Sequence, residues 1–376
     1  MRVLELLSSP FWTGPAEPMA SVARELIRRG HEVELAVDGR RPGDLRERLR
    51  GMGFRLREGL TLSTRSGPLR MAADVRALRR AAGECDVLHA NFSHDHALAL
   101  LAGAGAGRHR VVRTVHSVRS LSRRPLQRLA HRRTDGLVAV CPAHARALVE
   151  DLGLPPERVL ATRGAVDAAR FTPEGPDLRA ELGLAPGQPV VGIVSRVKPD
   201  RRHGELVDAF RRVADRLPDA RLVVVGRGEG IDAVKARVAA RALERRVIFA
   251  GYRAGAELPA AYRTFDVKVL LAEGNDGTCR ALLEGMACGR PGIAFRFGAP
   301  SDAIVEGESG LLVDDGDLPG LAEALRALLA DPARAKAMGA AARARMLRHF
   351  TEEARGEAVE GFLRHILSLP PARARG

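Results

Sequence analysis

EGNDGTCRALLEGMACGRPG, residues 273–292, follows an apolar run at residues 267–271 of strand-like composition, so the local order is strand, loop, helix. Glu273, Asp276 and Gly277 stand in the loop, and Thr278 is placed to cap a helix whose first peptide N–H groups, around Cys279 and Arg280, point back at the loop mouth. Such a helix start favours anions, through its free N–H groups and its dipole. Glu284 falls on the helix face shared with Gly277, Arg280 and Ala281, and helical side chains lean toward the N-terminus, so a carboxylate is aimed at the same mouth. Gly289 ends the helix and Pro291 prevents its continuation. An ordinary αβ unit of a parallel sheet has the same outline, but it does not call for two acidic residues in a D-x7-E spacing, Asp276 and Glu284.

Outward from this stretch, 376 residues are too many for one ordinary domain and suit two. With 45% hydrophobic but only 4% aromatic residues, the chain suits Ala-, Leu- and Val-rich helices on parallel strands. Strand-like and helical stretches alternate throughout, which predicts α/β. Four dispersed cysteines, Cys85, Cys141, Cys279 and Cys288, form no C-x-x-C pair, which argues against a structural zinc site and fits a reduced, cytoplasmic setting. Met1 opens a strand pattern at once, so no cleavable signal is expected, and no apolar run is long enough to span a bilayer.

The net charge is +14, and only four of the 60 basic residues are lysine. Residues 1–170 hold 29 basic against 18 acidic residues, so most of the excess lies in the first half. A positive first domain suits anionic lipid headgroups or an acidic acceptor. Nucleic acid is not expected as a partner, because aromatic stacking platforms and a recognisable nucleic-acid motif are missing.

In chain order, residues 1–7 read as a first buried strand, and the following FWTGPAEP carries Gly14, a candidate for close backbone approach to the acceptor at the ligand-binding edge of a parallel sheet. A helix over 20–29 and a strand over 31–37 follow, with His31 read as a turn residue. Further strands are expected over 86–90, 110–114 and 136–140. His94 and His96 lack a third ligand for a metal. Around Leu121, Leu126 and Leu129 cluster Arg119, Arg123, Arg124, Arg128, Arg132 and Arg133, which fits either a helix lying on a membrane surface or a solvated helix packed on its own domain.

Pro and Gly punctuate residues 173–189 around one short helical piece, DLRAELGL, and this reads as a linker. A second domain starts with a strand over 190–194, and SRVKPDRRHGELVDAF then places Arg196, Lys198, Arg201 and Arg202 where strand meets helix. Fixed positive charge there can hold a diphosphate and stabilise it as a leaving group. Strands over 221–225, 247–250, 266–271 and 292–295 complete the sheet. GRGEG at 226–230 lacks the spacing of a dinucleotide fingerprint, which excludes NAD. Asp315 and Asp317 read as a turn ahead of a helix, not as a metal pair.

With these pieces in order, the chain resembles the family-four retaining glycosyltransferases, whose E-x7-E element has the look EGxGxxxLEAMAxGxP. SVARELIRRGHEVELAV resembles that family's opening unit, GAVDAARFTP its NGVDxxxFxP, and GESGLLV with DDGD its GxTGLLVxxxD. Arg196 and Arg201 match its GRxxxxK, with Arg201 at the lysine position and Ser195 replacing the glycine. The resemblance implies the GT-B architecture, two Rossmann-like doubly wound parallel-sheet domains facing a cleft. The expected boundaries are an acceptor domain at 1–172, a linker at 173–189, a nucleotide-sugar donor domain at 190–350, and a last helix within 351–376 that packs back on the first domain.

By the same resemblance Glu284 holds the nucleotide ribose, Asp276 contacts the donor sugar, the amides of Gly277, Thr278 and Cys279 hold the diphosphate with Arg196 and Arg201, and His116, ending its strand in RTVHS, faces the sugar. Asp276 is one methylene shorter than the usual Glu, and Glu273 is a nearby substitute. The implied reaction moves a sugar from a nucleotide diphosphate sugar to a hydroxyl of a glycan or lipid-linked acceptor, with retention. Neither cofactor nor metal is needed, because arginines and helix dipoles can stabilise the leaving group. The implied location is the cytoplasm, at the inner face of the membrane. A sugar-nucleotide epimerase of the same architecture and a noncatalytic sugar-nucleotide binder are the alternatives.

Overall fold

Short runs of valine, isoleucine, leucine and alanine become twelve strands among the described residues of the computed structural model, which are 1–64, 67–103, 109–116, 124–272 and 279–372. Six of them, β1 (Arg2–Leu7), β2 (Glu32–Val37), β3 (Val87–Ala90), β4 (Arg110–Val115), β5 (Gly136–Ala139) and β6 (Val159–Ala161), form a sheet in the order β2-β1-β3-β4-β5-β6. The other six, β7 (Val190–Val194), β8 (Arg221–Val225), β9 (Val247–Gly251), β10 (Val267–Leu270), β11 (Gly292–Phe295) and β12 (Gly310–Val313), form a second in the order β12-β11-β10-β7-β8-β9. Each pairing is parallel. The described residues of Met1–Arg163 and Glu352–Gly376 make one compact unit, and those of Gly164–Gly274 and Thr278–Thr351 make another.

Parallel strands need helical crossovers, and helices on both faces bury both faces of the sheet. In the first unit Val3 and Leu7 join one apolar cluster with Leu26, Val33 and Val112, while Leu4 and Leu6 join another with Leu88 and Leu98 on the opposite face. In the second unit Ile193, Val224 and Val269 pack with Leu206, Phe210 and Leu325. Each sheet reverses its winding once, between β1 and β3 and between β7 and β10. In open α/β sheets ligands bind beyond the carboxyl ends of strands at such a reversal.

The helix Glu352–Ser368 belongs to the first unit, where Val359, Phe362, Leu363 and Ile366 share an apolar cluster with residues of the helix Ala16–Arg28. Arg24 pairs with Glu352 at 3.1 Å, Arg28 with Glu353 at 2.8 Å and His31 with Glu360 at 2.8 Å along the seam. The two arginine pairs are exposed and contribute little each, whereas His31 and Glu360 are largely buried, so the apolar face carries most of the packing and the charges set its register.

Several local expectations change. The first helix starts at Ala16 instead of residue 20, since Pro18 falls in its first turn, where a missing N–H costs nothing. DLRAELGL is a succession of turns, closed by Leu182 N–H to the Leu178 carbonyl at 2.9 Å and Leu184 N–H to the Arg179 carbonyl at 2.9 Å. The strands β6 and β12 join the edges of their sheets without having been expected as strands.

Candidate active site

In the second unit the segment after β7 turns through Ser195–Arg202 before the helix His203–Arg216. It is laced to the loops after β8 and β9 through the main chain. Ser195 N–H donates to the Val225 carbonyl at 3.1 Å, Val197 N–H to Arg227 at 3.0 Å, Gly230 N–H to Val197 at 2.9 Å, and Gly226 N–H to Gly251 at 2.8 Å. Two glycines permit this approach. At Gly226, φ is +145° and an added Cβ would lie 1.9 Å from the Ser195 carbonyl oxygen; at Gly228, φ is +159° and it would lie 2.3 Å from that of Val197. GRGEG, which does not fit a dinucleotide fingerprint, is thus a close-packed wall beside the basic segment.

These loops enclose a cavity of about 780 Å³ lined by, among others, Arg170, Arg196, Lys198, Arg227, Tyr252 and Arg253. Most of its cations are already engaged. Lys198 pairs with Glu229 at 3.0 Å, Arg253 pairs with Glu181, Arg170 donates to the Gly255 carbonyl at 2.8 Å, and the Arg227 guanidinium lies 4.5 Å from the centre of the Tyr252 ring. Arg196 is exposed and makes no ion pair among the described residues. Arg201 sits on the same segment but is not among the lining residues; it is half-buried, its Nε buried without a hydrogen-bond partner, with the Asp200 carboxylate 3.8 Å away. His203 places Nε2 3.0 Å from Ser195 Oγ, and burial pushes its pKa down to about 4. A diphosphate would give Arg196 a close ionic partner and Arg201 a hydrogen-bonded one.

The acidic stretch is described from Cys279 onward. Asp276, Gly277 and Thr278, with Glu273, lie outside the described residues. The helix runs Arg280–Ala287, with buried Cys279, not Thr278, at the cap position in a left-handed conformation, φ 45°. Glu284 is partly buried on this helix and accepts the Tyr262 hydroxyl at 2.6 Å. Burial raises the Glu284 pKa against the pull of Tyr262 and Arg280, and it raises that of Tyr262 well above the usual phenol. Lys268 on β10 is fully buried, donates to the Val269 carbonyl at 2.6 Å, and is pushed down to about 7 by desolvation, with Glu284 acting in the opposite sense.

In the first unit His116 follows β4 directly, 6% exposed, and burial pushes its pKa down to about 3, so the imidazole is neutral. Its Nε2 lies 3.1 Å from Asn91 Oδ1. Gly14 sits in the turn ahead of the helix Ala16–Arg28, without a positive φ. His96 is buried against Thr134, with Nε2 2.6 Å from its hydroxyl, and is held neutral by desolvation; no cluster of three or more potential metal ligands occurs among the described residues. Arg119, Leu121 and Arg123 are outside the described residues, whereas Leu126 and Leu129 on the helix Pro125–Arg132 are 82% and 45% exposed.

Sequence reasoning singled out Arg196, Arg201, Glu284 and His116 but missed Tyr262 and Lys268 behind Glu284, the Arg227–Tyr252 stack, and Asn91. Tyr262 and Lys268 read as core positions in an apolar helix and strand. For Asn91, the only signal was its place one residue beyond a strand end.

Residues 14–170 match the family described as Glycosyltransferase Family 4, and residues 175–345 match Glycosyl transferases group 1. The chain is 30% identical over 281 residues to a GDP-mannose-dependent alpha-(1-6)-phosphatidylinositol monomannoside mannosyltransferase of Mycolicibacterium smegmatis, covering 71% of this chain and 73% of the relative. It is 33% identical over 213 residues to a D-inositol 3-phosphate glycosyltransferase of Nocardia farcinica, covering 54% of this chain and 47% of that protein, so it spans about half of that relative's length. Among solved structures, Anabaena HepE in complex with UDP and glucose matches with a TM-score of 0.77 at 21% identity, covering 98% of this chain and all of that one, a likeness of fold. The relatives are named as transferases, and nothing in them favours an epimerase or a noncatalytic binder. On the fold, the two family matches and the mannosyltransferase relative together, the chain belongs to the group 1 glycosyl transferases of family four, retaining enzymes of the GT-B architecture.

Proposed function

We propose that the cavity over β7, β8 and β9 takes the nucleotide diphosphate of a sugar donor, with GDP-mannose the first candidate and an inositol-bearing lipid the first acceptor, as the name of the mycobacterial relative suggests. The observation that carries this is the exposed Arg196, which makes no ion pair among the described residues, beside Arg201, whose Nε has no hydrogen-bond partner among them, on a segment fixed by backbone hydrogen bonds at a sheet reversal. In this reading Arg196 and Arg201 meet the diphosphate and stabilise it as charge grows on the leaving group, together with the amides of Gly277, Thr278 and Cys279. Glu284 holds the ribose through the carboxylate oxygen that Tyr262 leaves open. Asp276 and His116 contact the sugar, and Gly14 approaches the acceptor. Transfer proceeds without metal or cofactor, since fixed cations do the electrostatic work.

No helix among the described residues is long and apolar enough to cross a membrane. A lipid acceptor then requires docking at a surface. The helix Pro125–Arg132 supports this role: Leu126 and Leu129 are exposed between the exposed Arg124, Arg128, Arg132 and Arg133. Cytoplasmic residence at the inner membrane face is part of the same reading.

The testing experiment is a thermal-shift panel of GDP, UDP and ADP with their sugar conjugates, with and without EDTA, because a ligand bound only by the folded state raises its stability. One nucleotide giving an EDTA-insensitive shift, followed by transfer of its sugar to an inositol lipid, is the expected result. No shift with any nucleotide would overturn the donor site. Flotation with anionic but not neutral vesicles tests the helix.

A further inference from the structure

Strands β1, β3 and β4 are neighbours, Glu5 is in register with His89, and His89 with Val112. The two-residue period of a strand then carries Thr114, Asn91 and His116 onto the same face as Glu5 and His89. Asn91 and His116 lie just past the carboxyl ends of β3 and β4, next to the reversal between β1 and β3. The chemistry of that row is closed on one side and open on the other. Glu5, fully buried, has Oε1 2.7 Å from His89 Nδ1, and His89 Nε2 lies 2.7 Å from Thr114 Oγ1. Asn91 Nδ2 donates to Glu5 Oε2 at 3.0 Å and to the Leu6 carbonyl at 3.2 Å.

Those two partners settle which way the Asn91 amide faces. A carboxylate and a carbonyl only accept, so the NH₂ must point at them and Oδ1 must point the other way. Oδ1 is itself only an acceptor and sits 3.1 Å from His116 Nε2, so that nitrogen carries the hydrogen. The remaining nitrogen, Nδ1, is buried and has no hydrogen-bond partner among the described residues. A buried acceptor without a donor is costly unless a ligand supplies one.

We propose that Asn91 is a positioning residue whose amide, oriented by Glu5, fixes His116 as the Nε2–H tautomer, so that Nδ1 is presented as an acceptor for a substrate hydroxyl. The proposal rests on the reading of His116 as a substrate contact and adds to it the direction of the hydrogen bond. A hydroxyl donating to Nδ1 is held without proton transfer, because the imidazole is neutral and stays so. The charged and titratable groups that act on His116 are His89 on β3, Arg113 on β4 and Arg355 from the helix Glu352–Ser368, and Asn91 links it to Glu5 on β1.

The test combines imaging of the tautomer by imidazole nitrogen NMR of the full chain with kinetics of two variants. In the native protein Nε2 is expected to be protonated and Nδ1 bare across the neutral range. In Asn91→Asp the new carboxylate shares a proton with Glu5 and brings negative charge to Nε2–H, so the titration of His116 moves upward by at least about one pH unit. Turnover of this variant then falls on the acid side at a pH at least about one unit above that of the native enzyme, because protonation of Nδ1 removes the acceptor, while near neutrality Nδ1 stays bare and the donor KM is nearly unchanged. In Asn91→Leu, which removes the acceptor that fixes the tautomer, turnover falls at every pH. A native spectrum with Nδ1 protonated, or an Asn91→Asp spectrum with an unmoved titration, overturns the proposal. Full turnover in His116→Ala would instead remove the substrate contact while leaving the tautomer result in place, so the two failures are told apart.

Discussion

The Tyr262 hydroxyl and the Glu284 carboxylate are joined by a 2.6 Å hydrogen bond that occupies Oε2. Tyr262→Phe is therefore expected to leave a partly buried carboxylate one donor short, lowering stability by about 1–3 kcal/mol. If Glu284 holds the ribose, the KM for the sugar nucleotide rises about fivefold or more while kcat changes less, because the loss is one of binding. Urea unfolding and steady-state kinetics measure the two effects; an unchanged KM would detach Tyr262 from donor binding.

Removing the carboxylate or the unpaired cation reaches further. Glu284→Ala and Arg196→Ala are each expected to reduce turnover at least about tenfold. Transfer assays with saturating acceptor give the answer, and near-native rates in both would sink the assignment of this cavity to the donor.

Lys268 predicts a pH dependence. Its amine titrates near 7 in the folded chain against a usual 10.5, so between those values the unfolded chain binds the extra proton. Stability from this position therefore rises with pH across that window, and below it the buried ammonium is a constant cost. Lys268→Met should raise stability at pH 6 by an amount on the order of 2–4 kcal/mol, and the gain should fade by pH 10. Chemical denaturation at both pH values checks this; a loss of stability at pH 6 would mean that the charge is matched.

Gly228→Ala puts a methyl group where the Val197 carbonyl oxygen already is, 2.3 Å away. The loops after β7 and β8 must part, at a cost of about 2–4 kcal/mol. A lower Tm together with loss of the nucleotide-induced shift is the expected pair of results.

Arg202 holds a left-handed conformation, φ 58°, while pairing with Asp315 and lying over the Phe295 ring. Arg202→Gly relieves about 1 kcal/mol of backbone strain and gives up contacts of similar worth, so its Tm should barely move. Arg202→Ala keeps the strain and loses the contacts, and it should be the less stable of the two.

Much of this molecule was open to reading from its residues. β7, β8 and β11 fall where runs of apolar residues end at Ser195, Gly226 and Arg296, because buried parallel strands leave an uninterrupted apolar signature. The edge strands β6 and β12 were hidden, since three or four residues at a sheet margin carry too little pattern. Arg196 and Glu284 were visible because charge at a strand end or inside an apolar helix has few structural reasons. Tyr262, Lys268 and Asn91 were not, since their roles come from strand register and helix packing that join residues far apart in the chain: Tyr262 reaches Glu284 and Asn91 reaches Glu5 only after folding.

The main-chain lacing of the loops after β7, β8 and β9 separates the mould from its lining. Carbonyls and amides of Ser195, Val197, Gly226, Arg227 and Gly230 set the shape, while the side chains of Arg227, Tyr252 and Arg253 coat it. Arg253 also ties back to the Ala250 carbonyl at 2.9 Å, so it belongs partly to the mould, whereas Arg227 and Tyr252 belong to the coat; if the cavity takes the nucleotide as proposed, libraries built at those two positions are expected to alter nucleotide preference on an unaltered scaffold.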